Sequence, residues 1–112
     1  MLDEKGVFAQ FNRRGTLRGG ELYLPLGAAL DLIRVCEENG LTVVGVEGFV
    51  IDGGKTAPLM DAIGDFSGTA AKSWEEYRRL NNGAAEVFLK NRRPDDRVAY
   101  SVTVLSEPEW HR

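Results

Sequence analysis

Apolar and polar positions follow two different periods along the chain. Between Pro25 and Glu38 the residues Leu26, Ala29, Leu30, Ile33 and Cys36 fall three and four apart, the spacing of one helix face. Pro25 stands where a first helical turn tolerates proline. Asn39-Gly40 offers a left-handed C-terminal cap, so the spacing predicts a helix over 25–38. Trp74, Tyr77, Asn81, Ala84 or Ala85, and Phe88 repeat the same spacing. Asn81-Asn82-Gly83 interrupts this second stripe, and glycine costs a helix about 1 kcal/mol relative to alanine. Two helices joined by a turn would fit, but the stripe keeps its phase, which favours one helix over 69–91. Ser67 or Thr69 would cap its start, Asn81 would be a polar group on its buried face, and Arg92-Arg93-Pro94 would end it.

Strand patterns lie between and around these helices. VFAQF, residues 7–11, alternates weakly and predicts a first strand. The segment Asn12–Gly20 is basic and rich in turn residues. Residues 41–51, LTVVGVEGFVI, are β-branched and nearly continuous in apolarity, as a central strand covered on both faces would be. Asp52-Gly53-Gly54 is a turn signal, and Lys55–Phe66 has no clean period that would support one assignment. Residues 97–105 alternate strictly, with Val98, Tyr100, Val102 and Val104 on one side and Ala99, Ser101, Thr103 and Leu105 on the other. The expected fold is a single α+β domain over 1–112. It has a small mixed or antiparallel sheet of three to four strands, with two helices packed on one face. A right-handed crossover could place the two strongest strands, 41–51 and 97–105, parallel, but the connection between them is also long enough for other pairings.

Charge adds a layout that the net value of −3 hides. Residues 21–65 hold eight acids against only Arg34 and Lys55, between two mildly basic flanks. An acidic block disfavours nucleic acid as a ligand, because phosphate binding needs clustered bases. It suits a basic protein partner. The candidate partner-binding acids are Glu37, Glu38, Glu47, Asp52, Asp61 and Asp65. No apolar stretch approaches the length of a membrane span, and the acidic start lacks the apolar core of a signal peptide. With one cysteine and no internal disulfide, the expected compartment is cytoplasmic.

The chemistry of the chain is sparse. His111 is its only histidine and Cys36 its only cysteine, which leaves no nucleophile–base set and no zinc ligands at useful spacing. No catalytic residues, cofactor or metal are expected. Asp52-Gly-Gly-Lys55 lacks the strand–loop–helix context of a phosphate loop and reads as a hairpin turn. Glu47 stands out, because it sits in the most apolar run with Gly45 and Gly48 on either side. A buried carboxylate must be paired or protonated, so an ion pair with an arginine of the long helix is expected. The other readings are a partner-binding acid and a catalytic acid working with Asp61 or Asp65. Trp74 belongs to the helix stripe. Trp110 is a lid on the core or an exposed anchor.

LPLGAALDLIRVCEENG, VVGVEGF, IGDFSG, SWEEYRRLNNGAAEVFL and VAYSVTVLSE, in this order over about residues 22–107, resemble the immunity protein 40 family of bacterial polymorphic toxin systems. The resemblance implies a small cytoplasmic protein that binds and neutralises a cognate toxin domain. Glu47, Asp65, Trp74 and Tyr77 are the matching motif positions. Acidic immunity surfaces suit basic, nuclease-type toxins, and opposite charge speeds encounter. Rival expectations are a small enzyme using a carboxylate pair around Glu47, and a homo-oligomeric module, such as a homodimer paired through the strand at 97–105.

Overall fold

The computed structural model describes residues 1–112. Helix α1 (Glu4–Ala9) and a short 3-10 turn (Asn12–Arg14) lead into a hairpin of β1 (Thr16–Arg18) and β2 (Glu21–Tyr23). Helix α2 (Leu26–Glu38) follows, then β3 (Thr42–Asp52), β4 (Lys55–Asp65), helix α3 (Trp74–Lys90), β5 (Val98–Leu105) and a last turn, α4 (Glu107–Trp110). The main sheet has the order β4-β3-β5 and each neighbouring pair is antiparallel, so the two strongest strands of the sequence, β3 and β5, pair antiparallel rather than parallel. Leu24 extends it by exchanging two backbone hydrogen bonds with Tyr100, at 2.9 and 2.7 Å. Helices α2 and α3 pack on one face of this sheet. No helix is long and apolar enough to cross a membrane.

The expected strand at 7–11 falls in and just after α1 instead. The Asp3 side chain caps that helix by accepting from the Gly6 N–H at 2.9 Å. Val7 and Phe11, four residues apart, both reach the core, which is helical spacing rather than alternation. The glycine-rich stretch after it forms the small hairpin, with Gly19 and Gly20 at φ +57° and +81° in its turn. Helix α2 lies where its stripe predicts and buries Ala28, Ala29, Leu32, Ile33 and Cys36.

Helix α3 is continuous through Asn81-Asn82-Gly83. It starts at Trp74 rather than near residue 69, because Ser73 is the cap: its hydroxyl accepts from the Glu76 N–H at 3.1 Å. Ser67 and Thr69 serve the preceding turn. The Asp65 carboxylate accepts from the Ser67 N–H at 3.0 Å and its hydroxyl at 2.7 Å, and Thr69 donates to the Phe66 carbonyl at 2.8 Å.

The unassigned stretch after the Gly53 turn is the edge strand β4. A bulge hides its period. The register jumps from Glu47↔Ile63 to Phe49↔Pro58, so Gly48 alone faces the four residues Leu59–Ala62. Ala62 is buried against Gly48, where an added Cβ would lie 2.7 Å from the Ala62 Cβ. Pro58 and the bulge also blunt this long edge against pairing with other chains.

A second bulge, in β3 between Val43 and Gly45, sets which residues face the helices. Val43 and Val46 are both in the core although they are three apart, which plain alternation forbids. The extra residue is Val44, and Asn82 of α3 binds the backbone beside it. Asn82 Oδ1 accepts from Val43 N at 2.8 Å, while its Nδ2 donates to the Leu41 carbonyl at 3.0 Å and to Glu37 Oε2 at 2.6 Å. Asn81, the expected polar core residue, is fully buried but neither atom of its amide has a partner. A second, smaller cluster closes the other end of α3. Trp110 stacks on Tyr77 at 5.3 Å and lies 5.9 Å from Trp74, which makes it a lid rather than an anchor.

Two pairs of substitutions test this framework by urea unfolding. Asn82→Ala should cost about 2–3 kcal/mol by stranding buried backbone groups, whereas Asn81→Leu should be neutral or stabilising by about 1 kcal/mol. A large loss on Asn81→Leu would show that its amide is held in place. Gly48→Ala should cost about 1–3 kcal/mol by overpacking against Ala62, while Gly45→Ala, with no atom nearer than 3.7 Å apart from its chain neighbours, should cost less than about 0.5 kcal/mol.

Candidate functional site

Beyond Val46 the alternation of β3 is regular, so Glu47, Phe49 and Ile51 point away from the helices. The lower half of that outer face is covered. Tyr23 meets Phe49 edge-to-face with ring centroids 5.1 Å apart, and the Ser101 hydroxyl donates to Glu21 from the hairpin. This cover explains the apolarity of Phe49 and Ile51 without a second layer of helices. The upper half stays open.

On the open half, two cross-strand rows lie side by side. One is Asp65–Gly45–Thr103 and the other is Ile63–Glu47–Ser101. All of these except Ser101, which is bonded to Glu21 of the hairpin, line a depression of about 340 Å³ together with Ser67. Its middle is low because Gly45 has no side chain. Glu47 is therefore exposed and joins no salt bridge, which corrects the expected buried ion pair with an arginine of the long helix. It does not meet Asn81, which is buried on the helix side of the sheet. The Ser67 hydroxyl and N–H hold the Asp65 carboxyl below its usual range.

The other four candidate acids do not join this face. Glu37 is half-buried on α2, bound to Asn82 and 3.6 Å from Arg78 Nε, a structural tie. Glu38 is exposed at the end of the same helix. Asp52 flanks the β3–β4 turn. Asp61 rides on the β4 bulge, its carboxylate 3.8 Å from Arg92 Nη1. The acidic block of the sequence is thus dispersed, and only Glu47 and Asp65 are brought together.

A wider cleft of about 540 Å³ lies beside the start of α2, where Arg14 and Arg97 are already paired with Asp31 and Asp95. Burial pushes the Cys36 thiol up to about 12, so it stays protonated and acts as a core hydrophobe. No three His, Cys, Asp or Glu side chains are placed to hold a metal ion. No protein-family model matches the chain, and comparison with curated proteins finds no match either.

A pair that sequence reading missed is Glu4 of α1 with Glu109 of α4. Ser106-Glu-Pro-Glu109 is a capping box, legible in the spacing: Glu109 accepts from the Ser106 N–H and hydroxyl, both at 2.9 Å. Nothing in the sequence signals that Glu4 would lie beside it. Desolvation first, then the hydrogen bond and charge of Glu109, raise Glu4 to about 7. The hydrogen bonds from Glu4 and Ser106 lower Glu109 to about 2.

The sign of the resulting pH dependence follows from linkage. Glu4 binds its proton more tightly in the folded chain, so its contribution is complete below its ordinary value of 4.5 and is lost as pH rises towards 7. Glu109 contributes above 4.5 and loses its contribution as pH falls towards 2. The urea midpoint should therefore fall between pH 5 and pH 7.5, and Glu4→Gln should flatten that fall. An equally steep fall in the variant would remove Glu4 as its cause.

Proposed function

We propose that this chain is a non-enzymatic, cytoplasmic immunity protein that binds and neutralises a cognate bacterial toxin domain, with the open half of its sheet as the contact surface. The carrying observation is that Glu47 and Asp65 share an exposed sheet face with no ion-pair partner for either. Two like charges on one face repel each other, and a basic partner would relieve that repulsion while also being steered towards it. The resemblance over about residues 22–107 points to the same class of partner. An acidic face disfavours nucleic acid, whose phosphates it would repel.

The enzymatic alternative fits the same face less well. Acid–base work by a carboxylate pair relies on burial to keep one member protonated near neutral pH, and Glu47 and Asp65 both stand exposed to solvent. The homodimer alternative through β5 meets a strand edge already taken at Tyr100 by Leu24.

Co-expression with the product of the neighbouring upstream gene tests the proposal. The two proteins should co-purify, and Glu47→Lys with Asp65→Lys should weaken the complex by about 100-fold or more, the scale of losing buried charge contacts. Glu38→Lys should change it by less than about fivefold, as for a charge at the rim. The proposal fails if that product does not bind, or if the double reversal binds as tightly as the wild type.

A further inference from the structure

We infer that the depression over Gly45 is a seat for one basic side chain, lysine or arginine, presented by a protein partner. The inference rests on the partner-binding reading and adds the mode of contact.

The first reason is Gly45 itself. Three glycines lie in the paired region of β3 and β4 around this face, and two are required by packing. A Cβ on Gly48 would strike Ala62, and one on Gly64 would lie 2.8 Å from the Phe66 ring. Gly45 is different. Its φ is not in the left-handed region, and a Cβ there would meet nothing closer than 3.7 Å. Glycine inside a strand weakens it, yet neither backbone nor core asks for one here. What the missing side chain provides is space on the open face.

The second reason is what borders that space. Asp65 and Thr103 flank Gly45 on the neighbouring strands, and Glu47 stands two residues along the same strand. Two carboxylates and a hydroxyl therefore line the slot, with Asp65 Oδ1 also accepting from Ser67 and its other oxygen without a partner, which suits a group that only donates, such as an ammonium or guanidinium. Ile63, cross-strand from Glu47, is 46% exposed. An apolar surface beside paired acids is what the methylene stem of lysine or arginine covers when its head is bound. No base of this chain occupies the place: the salt bridges of the molecule use Asp31, Glu37, Asp61, Glu86, Asp95 and Glu107, and neither Glu47 nor Asp65.

The test is an amide-shift titration of the full chain at low ionic strength with two blocked probes, Ac-Gly-Gly-Arg-Gly-Gly-amide and its lysine counterpart. Shifts should concentrate at Gly45, Glu47, Gly64 and Thr103. Gly45→Val keeps the charge but fills the slot, and should weaken binding by about fivefold, the scale of one exposed charge pair. Glu47→Gln combined with Asp65→Asn should do the same, and Glu38→Gln should not. If the valine variant does not give a folded spectrum, Gly45→Ala replaces it, with at least a twofold loss expected on the same scale. Shifts spread over all exposed acids, or unchanged binding by the filled variant, would overturn the seat. With the toxin partner in hand the two ideas separate. If nothing binds, the immunity reading falls; if the toxin binds the filled variant as tightly as the wild type, only the seat falls.

Discussion

The side chain on which most of this structure depends is that of Asn82. The extra residue in β3 at Val44 turns both Val43 and Val46 into the core. A buried backbone donor without a partner costs about 1–3 kcal/mol, and beside this bulge the Asn82 amide of α3 accepts from the Val43 N–H. That amide also holds the Leu41 carbonyl and the Glu37 carboxylate, which ties the end of α2, the start of β3 and the middle of α3 at one point. The phase of β3 beyond the bulge follows from this arrangement. It places Val46 inside and Glu47 outside, and with Glu47 it places Gly45 on the open face.

Helices α2 and α3 and strand β5 were legible in the sequence because each carries a regular stripe or alternation, and β3 because its run is β-branched and nearly continuously apolar. The parts that were not legible share a physical cause, a local irregularity that breaks the period. The β4 bulge scrambles the alternation of Lys55–Asp65, since four residues face Gly48. In α1 only Val7 is fully buried, too short a stripe to separate from weak alternation. Asn81 and Asn82 are neighbours on one helix, and both are buried. Spacing picked the one on the axis of the stripe, while the hydrogen bonds fall to the other.

Glu47 shows the same limit at the level of the site. Its apolar surroundings read as burial on both faces, but the outer face is apolar only where Tyr23 and the hairpin cover Phe49. Where the cover ends, the strand carries a glycine and a carboxylate. The sequence singled out Glu47 by its apolar run and left Asp65 as one of six candidate acids, without showing that these two share a face. That needed the β3–β4 register, which places Asp65 opposite Gly45. The other four acids are accounted for locally, by Asn82 and Arg78, by Arg92, or by open solvent.

The most direct measurement of the central claim, that the open sheet half is where a basic protein partner binds, is backbone hydrogen exchange of the chain alone and in complex with the toxin domain it is proposed to neutralise. Slowed exchange should centre on residues 44–47, 63–67 and 101–103 and leave the exposed ends of α2 and of the β3–β4 turn unchanged. Protection confined to those ends, or to the cleft beside the start of α2, with none at Gly45 and Glu47, would contradict it.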